Sequence, residues 1–344
     1  MQSELFVGLD VHKKTVGATV VDHEGNRVDQ SSFGPRDSEL ISYLDRLPGR
    51  KHVVLEACNV WEHYYDAALS TEAEVTLAHP YRVRLISEAS LKSDKVDSET
   101  LAELLRLRGI PVAYAPDPET RALRQLVRDR WFYKREEAGV KSHIYSALLR
   151  KGIPYDDGIL GRTRNREELR SHQIPEVDRG LDVLHRFDEL TKDLNEAIHQ
   201  AFLKSREAQL LKTIPGIGEF TAVALVAEVC PIDRFPNIEK LCSYAGLVPT
   251  NRQSGESSYQ GHLKTDANRM VKWLLVEASW SHRQWAGKGS DVTKVARRVA
   301  RRSGKQSGNV AGAHKLLKIV YAVLKRGTPY TPDRPSFGGT AAES

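Results

Sequence analysis

The chain is poor in cysteine and has no long apolar run, and each absence excludes a class of protein. Its three cysteines, Cys58, Cys230 and Cys242, are odd in number and widely spaced, which argues against a disulfide framework or a cysteine-rich zinc site. No apolar run approaches the roughly 20 residues of a membrane-spanning helix, and the N-terminus lacks a basic segment followed by an apolar one. We therefore expect a cytoplasmic protein with no membrane association.

The chain also lacks any extended block of low hydrophobicity and any internal repeat of solenoid period. Of its 344 residues, 40% are hydrophobic and 28% are charged, as in a folded globular protein. This length allows two compact units with a connecting segment. We predict a first domain over residues 1–150, a helical coiled-coil connector over 151–206, a second domain over 207–330 and a flexible tail over 331–344.

Positive charge exceeds negative charge by 6, which favours a polyanionic partner. The basic residues form two blocks, of which the first surrounds Trp131, Phe132 and Tyr133 and therefore joins charge to stacking surface. The first block comprises Arg121, Arg124, Arg128, Arg130, Lys134, Arg135 and Lys141. The second comprises Arg297, Arg298, Arg301, Arg302 and Lys305, followed by Lys315, Lys318, Lys325 and Arg326. A solvated helix face explains one such block, but two blocks favour nucleic-acid binding.

Hydrophobic periodicity in the N-terminal third predicts strands in a meander, followed by strands that alternate with helices. The predicted strands cover residues 5–10, 15–21, 27–33, 53–56 and 74–78, with a short one at 112–114. The predicted helices lie around residues 40–47, 61–69 and 97–107, the last one stopped by Gly109. This order indicates an α/β domain with a mixed sheet covered by helices.

From residue 118 the pattern becomes helical. One long helix is predicted to about residue 151 and another over about 177–205, and the second carries an apolar seam. The seam consists of Leu181, Leu184, Leu190, Leu194, Ile198 and Ala201, and it predicts either an antiparallel helical hairpin or an intermolecular coiled coil. Residues 210–326 are predicted as a mostly α domain of short helices. Trp273, Trp280 and Trp285 are expected in its core.

Four carboxylates are candidates for one metal site. Asp10 and Glu56 end predicted strands, while Asp94 and Asp97 lie three residues apart at a helix start. Strand ends at one sheet edge lie side by side, and residues at i and i+3 share a helix face, so the four can converge. Clustered carboxylates need neutralising cations, and Mg²⁺ or Mn²⁺ suits such oxygen ligands. Two such ions can assist cleavage of a phosphodiester.

Each of these residues also has an ordinary structural explanation. Asp10 can begin a turn, Glu56 can be a solvated strand end, and Asp94 or Asp97 can cap a helix. Their joint placement on two strand ends and one helix is what favours a metal site.

Residues 213–218, with Gly216 and Gly218, precede a predicted helix over 220–229. Such a helix-hairpin-helix-like element leaves backbone N–H groups free at a helix N-terminus, where they bind phosphate. The same glycines also make ordinary tight turns.

Several of these segments resemble known motifs. Residues 8–13 (Gly-Leu-Asp-Val-His-Lys), 55–57 (Leu-Glu-Ala) and 93–97 (Ser-Asp-Lys-Val-Asp) resemble the acidic motifs of the DEDD transposases. Residues 214–218 (Ile-Pro-Gly-Ile-Gly), 244–249 (Tyr-Ala-Gly-Leu-Val-Pro) and 252–255 (Arg-Gln-Ser-Gly) resemble, in the same order, the C-terminal domain of the IS110 family of insertion-sequence transposases. The similarity covers almost the whole chain.

This resemblance implies a RuvC-like N-terminal domain of ribonuclease-H type and a recombinase that cleaves and exchanges DNA strands. It further implies that Ser254, the serine of the Ser-Gly motif, is a nucleophile that forms a transient covalent link to a DNA phosphate. From the residues alone, a turn residue is clearly the favoured interpretation of Ser254. Ser257 and Ser258 are its nearest rivals for the role of nucleophile. Arg252 and Lys264 lie near it in the sequence and are candidate contacts to nucleic acid.

The resemblance also implies partners. Donor and target DNA would be paired by a structured noncoding bridge RNA, which assigns sequence choice to base pairing. The protein would act as a homo-oligomer, a dimer or a tetramer, with the seam over residues 181–201 as a candidate interface. Two alternatives remain open: a RuvC-like, metal-dependent junction nuclease in which Ser254 is incidental, and a nucleic-acid-binding protein without catalytic activity.

Overall fold

The computed structural model describes residues 4–90, 98–156, 158–254, 257–263, 267–287 and 289–332. The chain divides into two compact units, Met1–Pro116 and Asp117–Ser344. None of the helices within the described ranges has the length and apolar character needed to cross a membrane.

The first unit is a five-stranded mixed sheet with helices on both faces. Its strands are β1 (Glu4–Val11), β2 (Val16–Val21), β3 (Arg27–Phe33), β4 (Arg50–Glu56) and β5 (Glu74–Ala78), in the spatial order β3-β2-β1-β4-β5. β1, β2 and β3 pair antiparallel, whereas β4 is parallel to both β1 and β5. The predicted mixed sheet is thus confirmed; of the expected strand at 112–114, the structure has a single bridge between Ala78 and Val112.

Four helices belong to this unit: α1 (Asp37–Arg46), α2 (Trp61–Leu69), α3 (Pro80–Ser90) and α4 (Ser98–Arg106). One face of the sheet packs Leu5, Val7 and Leu9 into a core that also contains Leu44 of α1 and Tyr64 of α2. The opposite face packs Val54 and Ala78 against Val83 of α3 and Leu101 of α4. Alternation along a strand therefore decides which helices each side chain meets.

The second unit begins with two long helices, α5 (Pro118–Arg150) and α7 (Pro175–Lys204), with the short α6 (Thr163–Arg170) between them. Ile144, late in α5, packs against Gly180, early in α7. Arg130, early in α5, donates to Asn195 Oδ1, late in α7, over 2.6 Å. These contacts fix an antiparallel hairpin within one chain. Its core buries Leu181 and Leu184 of the predicted seam.

Five further helices and a β-hairpin follow in chain order among the described residues of this unit. They are α8 (Arg206–Lys212), α9 (Glu219–Val229), α10 (Ile238–Tyr244), the strands β6 (Pro249–Ser254) and β7 (Ser257–Leu263), α11 (Arg269–Trp285) and α12 (Asp291–Arg326), the last broken into two helices. This region is mostly α, as predicted, but two of its helices are longer than the short helices expected and a β-hairpin is present. The polar segment around Ser254 forms an antiparallel two-stranded sheet, and α11 and α12 are long.

α12 breaks at Gly304, where φ and ψ are 85° and 167°. A Cβ placed on Gly308 would lie 2.7 Å from Ala300 Cβ and 2.6 Å from the carbonyl oxygen of Ala296. In one straight helix residues 296 and 308 would be about 18 Å apart. The two halves of α12 therefore fold back on each other as an antiparallel pair, which we call the α12 hairpin.

Candidate catalytic and nucleic-acid-binding sites

Asp10 and Glu56 stand next to each other at the ends of two parallel strands. The register of β1 and β4 pairs Leu9 with Leu55, so Asp10 and Glu56 are the next residues in each strand. Leu9 and Leu55 both point into the core beneath α1 and α2. By alternation, Asp10 and Glu56 both project to the other face of the sheet, the one that α4 covers.

The two carboxylates influence each other. The pKa of Glu56 is raised, first because the side chain is partly buried and second because the negative charge of Asp10 is close. His12 Nε2 lies 3.0 Å from Asp10 Oδ2, which makes a hydrogen bond when that nitrogen carries a proton. Sequence reasoning did not select His12, although a residue two positions after Asp10 in a strand lies on the same face. The negative charge of Asp10 thus disfavours ionisation of Glu56, and a bound cation would relieve this repulsion.

The first turn of α4 lies on the sheet beside this pair. A Cβ on Gly8 would come within 1.9 Å of the carbonyl oxygen of Ser98, so only glycine permits the helix to approach this closely. Thr19 Oγ1 and Ser98 Oγ form a buried hydrogen bond of 2.8 Å. A Cβ on Gly17 would be 3.9 Å from both Ser98 Oγ and Asp10 Cβ. The start of α4 therefore lies close to Asp10, with Gly17 next to both.

Asp94 and Asp97, the other two candidate ligands, lie outside the described residues. In the sequence they come within four positions of Ser98, the first residue of α4. Within the described ranges, no three side chains of histidine, cysteine, aspartate or glutamate converge as a metal site. The residues that are described fit one half of such a site. Two carboxylates that repel each other at a sheet edge are oxygen donors of the kind that hard divalent cations prefer.

Ser254 is the last residue of β6 and lies opposite Ser257, the first residue of β7. Ser258, the other rival, pairs with Gln253, and Arg252 pairs with Tyr259. The serine motif thus stands at the tip of a β-hairpin, and Lys264 lies outside the described residues.

The glycine-rich turn joins α8 to α9, and its two glycines have different surroundings. Gly216 has φ of 87°, and a Cβ there would lie 2.4 Å from the backbone nitrogen of His282, so this glycine packs directly on α11. His282 Nδ1 bonds to the carbonyl oxygen of Pro215 over 2.7 Å. Gly218 is the N-cap of α9, and a Cβ there would meet open space. Only Gly218 leaves a helix N-terminus accessible to a phosphate.

The first basic block is largely engaged inside the protein. Arg128 donates through Nε and Nη2 to the two carboxylate oxygens of Glu228, at 2.8 and 3.1 Å, and Glu228 is fully buried. Arg124 Nε donates to the carbonyl oxygen of Ala227 over 2.7 Å, at the C-terminal end of α9. Burial lowers the pKa of Arg124. Both arginines anchor α5 to α9.

The next cations of α5 also have protein partners. Lys134 Nζ donates to Glu137 Oε2 over 2.6 Å, and Glu137 is buried. Arg135 pairs with Glu136 over 3.3 Å, and its guanidinium lies 5.5 Å from the ring centre of Trp131. These residues are less available to nucleic acid than their spacing in the sequence indicates.

Five cations of the second basic block are exposed, on the first half of the α12 hairpin and just beyond its break. Among the described residues, no carboxylate lies within ion-pair distance of these five. They are Arg297, Arg298, Arg301, Arg302 and Lys305, which we call the α12 basic face. Lys315 and Lys325, later in the block, pair instead with Asp291 and Asp233. Five exposed cations on one hairpin form a surface that attracts a phosphate backbone.

The tryptophans of α11 are not in the core as expected. Trp273, Trp280 and Trp285 are 40%, 52% and 79% exposed. The apolar stripe of α11 buries Met270, Val271, Leu274, Leu275 and Ala278. Trp273 and Trp280 are seven residues apart, so they lie on the same face of the helix, and that face is not the one that carries the apolar stripe. The positions of the tryptophans relative to the smaller apolar residues would have predicted their exposure.

Comparison with known proteins gives consistent relatives. Residues 7–152 match the model of DEDD transposases of IS110 type, and residues 208–293 match the model described as transposase IS116/IS110/IS902 family. The transposase for insertion sequence element IS1111A of Coxiella burnetii is 24% identical over 290 residues, which are 81% of this chain and 79% of that protein.

Two relatives match over nearly the full length. The transposase for insertion sequence element IS1328 of Yersinia enterocolitica is 23% identical over 340 residues, which are 96% of this chain and 100% of that protein. A pilin gene-inverting protein of Moraxella lacunata is 24% identical over 351 aligned positions, 95% of this chain and 98% of that protein.

The mixed sheet, the paired acids at its edge and these matches define a DEDD-type DNA transposase, an enzyme whose substrate is DNA. The chain belongs to the IS110 family of insertion-sequence transposases. A domain of this type implies dependence on a divalent metal ion.

Proposed function

We propose that this transposase cleaves and exchanges DNA strands with an acidic metal site in its first unit and a serine nucleophile in its second. The observation that carries the acidic site is the side-by-side placement of Asp10 and Glu56 on the sheet face where α4 begins. In the sequence, Asp97 immediately precedes Ser98, the first residue of that helix, and Asp94 lies three positions before Asp97. The four carboxylates are the ligands of Mg²⁺ or Mn²⁺ in this proposal.

The residues fit a divalent ion because their own charges are poorly compensated. When bound, such an ion polarises the scissile phosphate and neutralises charge on the oxygens around it. Asp10 and Glu56 would hold that ion, and His12 keeps the Asp10 carboxylate oriented by its hydrogen bond.

The proposed nucleophile is Ser254. Its Oγ attacks the phosphorus, a serine–phosphate bond forms, and the bond from phosphorus to a deoxyribose oxygen breaks. The serine proton passes to a base, and the leaving oxygen takes up a proton. A hydroxyl of the second strand then attacks the same phosphorus and releases Ser254, so the number of phosphodiester bonds is conserved. The position of Ser254 at a hairpin tip and its Ser-Gly motif support this role.

The nucleic-acid surface proposed here is the α12 basic face together with the N-terminus of α9 at Gly218. Both are proposed to contact the phosphate backbone. Sequence choice is assigned in this proposal to an element-encoded bridge RNA, as the family implies. Arg252 and Lys264 are proposed to contact the phosphate near Ser254.

A homo-oligomer, a dimer or a tetramer, is also proposed from the family. Leu181, Leu184 and Ile198 of the seam are buried in the core of their own chain. A partner copy therefore contacts other surfaces of the hairpin formed by α5 and α7.

The decisive experiment incubates the purified protein, its co-purified RNA and Mg²⁺ with DNA that spans the element junction. A denaturing gel then shows whether a covalent protein–DNA adduct forms. We expect an adduct that Ser254→Ala removes and that Ser257→Ala and Ser258→Ala retain. Cleavage to free ends without an adduct would instead identify a metal-dependent junction nuclease, and binding without cleavage under any divalent metal would identify a non-catalytic binding protein.

A further inference from the structure

Glu228 is a charged residue in the most apolar part of the second unit. It lies near the end of α9, between Ala227 and Val229, and all three are buried. A buried carboxylate is unfavourable unless donors surround it, and an apolar residue of similar volume is often at least as stabilising. The retention of a charge here therefore needs a reason other than packing.

The donors that reach Glu228 come from three directions. Arg128 of α5 binds both carboxylate oxygens. Asn268 Nδ2 donates to Oε2 over 2.8 Å, and Tyr244 Oη lies 3.5 Å from the same oxygen. Arg234 Nη2 donates to the Glu228 carbonyl oxygen over 2.7 Å. Both the side chain and the backbone of Glu228 are thus held by polar groups.

Two of these donors flank the serine hairpin in the sequence. Tyr244 ends α10 shortly before β6, and Asn268 is the N-cap of α11 shortly after β7. The Asn268 backbone N–H donates to the Tyr244 carbonyl oxygen over 2.8 Å, and Asn268 Nδ2 donates to Tyr244 Oη over 3.0 Å. The chain therefore leaves and returns to one point. Glu228 binds Asn268 there through its carboxylate, and its backbone carbonyl oxygen accepts from Tyr244 Oη over 3.2 Å.

We propose that Glu228 is a positioning residue for strand exchange, whose carboxylate closes the base of the segment that carries Ser254 and so fixes the hairpin for attack. This inference rests on the proposed role of Ser254. A nucleophile misplaced by about 1 Å loses about 10²-fold in rate. A carboxylate suits this position because Arg128 and Asn268 donate three N–H groups to its two oxygens, whereas an amide has one acceptor oxygen and would present N–H groups to donors.

The test compares three variants of the full chain. Glu228→Gln keeps the volume and removes the second acceptor. Asn268→Ser removes the amide that reaches Glu228, but it retains a side chain able to cap α11, so that helix stays formed. Glu137→Gln is the control, because Glu137 is likewise a buried glutamate held by two cations, Lys134 and Lys141, and it has no link to the hairpin through the contacts described above.

The first readout is hydrogen exchange of the amides of residues 249–263, which needs no activity. We expect exchange there to quicken about tenfold or more in Glu228→Gln and Asn268→Ser, since the hairpin loses its fixed base. It should stay at the wild-type rate in Glu137→Gln. Equal exchange in all three variants, or faster exchange everywhere in proportion to lost global stability, would overturn the proposal.

The second readout is the rate of adduct formation at saturating DNA. Glu228→Gln should slow it about 10²-fold with DNA affinity unchanged, and Glu228→Asp should restore part of the rate because it keeps both acceptor oxygens. An unaltered rate would refute the positioning role. If the wild type forms no Ser254-dependent adduct, the proposed function fails, while the exchange experiment still decides whether Glu228 orders the hairpin.

Discussion

The Thr19 and Ser98 hydroxyl groups share a buried hydrogen bond of 2.8 Å that joins β2 to the first residue of α4. This bond, together with the absence of a side chain at Gly8, lets the helix start directly on the sheet beside Asp10. α4 therefore begins beside the sheet edge at which Asp10 and Glu56 lie on neighbouring strands. The close approach of α4 is a condition for the acidic site proposed above.

Gly8→Ala tests this condition. The added methyl would meet the Ser98 carbonyl oxygen at 1.9 Å and the Ala102 nitrogen at 2.6 Å, and both atoms are backbone, so α4 must move. We expect a loss of about 1–3 kcal/mol in the free energy of unfolding, measured by urea titration, together with loss of strand cleavage. Gly17→Ala is the matched control on the same sheet face, because its methyl would find neighbours at ordinary contact distance, 3.9 Å. Similar losses in both variants would contradict the close-approach argument.

Asp10→Ala should abolish strand exchange and leave DNA binding intact. Its proposed role is to hold a cation against the phosphate in the transition state, worth several kcal/mol or about 10³-fold in rate. Cleavage assays and equilibrium binding measure the two effects separately. Glu74→Gln serves as control, since Glu74 is an exposed carboxylate at the opposite end of β5 that pairs with Arg50. Normal recombination by the Asp10 variant would refute the assignment.

Glu56→Gln should make the metal-free protein more stable at neutral pH. Because the pKa of Glu56 is raised in the folded protein, the native state holds this proton more tightly than the unfolded chain does. Below the ordinary value of 4.5 both states are protonated and the residue has no effect. As pH rises through and above that value the unfolded chain ionises first, and the native state loses relative stability.

The glutamine variant does not suffer this loss. With a chelator present, its melting temperature should exceed that of the wild type at about pH 7, and the difference should vanish towards about pH 4. Calorimetry across this range measures it. A difference that is independent of pH would show that burial and the Asp10 charge do not act on Glu56 in this way.

Replacing Arg298 and Arg302 by glutamine should weaken binding to DNA or RNA without affecting the fold. The slope of log affinity against log salt concentration is negative, and each lost contact to duplex phosphate should reduce its magnitude by about 0.9. Thermal unfolding should be unchanged within about 0.5 kcal/mol, since both side chains are exposed. Arg186→Gln is the control for each single replacement, since it also removes one positive charge and Arg186 is an exposed arginine that pairs with Glu189 over 2.9 Å. An equal change of slope in the control would remove the special role of the α12 basic face.

Arg128→Ala should have the opposite effects: it should lower the stability of the fold and leave the salt dependence of DNA binding unchanged. It leaves the fully buried Glu228 carboxylate without its bidentate partner, so we expect a loss of about 1–3 kcal/mol in the free energy of unfolding. Chemical denaturation measures this loss. The salt dependence of DNA binding should keep its wild-type slope at a temperature where the variant is folded. Unchanged stability with a reduced slope would show that Arg128 contacts phosphate and not Glu228.

Periodicity was sufficient to predict the first unit well. β3, α2 and β5 occupy the ranges that alternation and helical spacing indicate. α2 and β5 bury apolar side chains, whereas β3 is mostly polar and continues the meander by pairing with β2. α3 was not predicted, since its apolar residues Val83, Leu85 and Ile86 fall among arginines. The β6–β7 hairpin resembled a turn because its strands are polar on both faces.

The partners of charged side chains were less predictable from the sequence than the helices and strands. Spacing places Arg124, Arg128 and Arg298 in equivalent basic blocks, but it does not show that Glu228 lies opposite the first two and that no described carboxylate pairs with the third. The acidic pair was easier, because parallel strands bring their ends together by geometry alone. Contacts between residues distant in sequence require the tertiary fold.

The two arms of the α12 hairpin meet through Ala296, Ala300, Gly308 and Gly312, which have little side chain to rearrange. Their backbone contact is separate from the exposed arginines, so surface charge can be added or removed there while the scaffold stays the same. Affinity for the nucleic-acid backbone can therefore be adjusted in small steps, one side chain at a time. An engineered recombinase with weaker or stronger retention on DNA would start from this face.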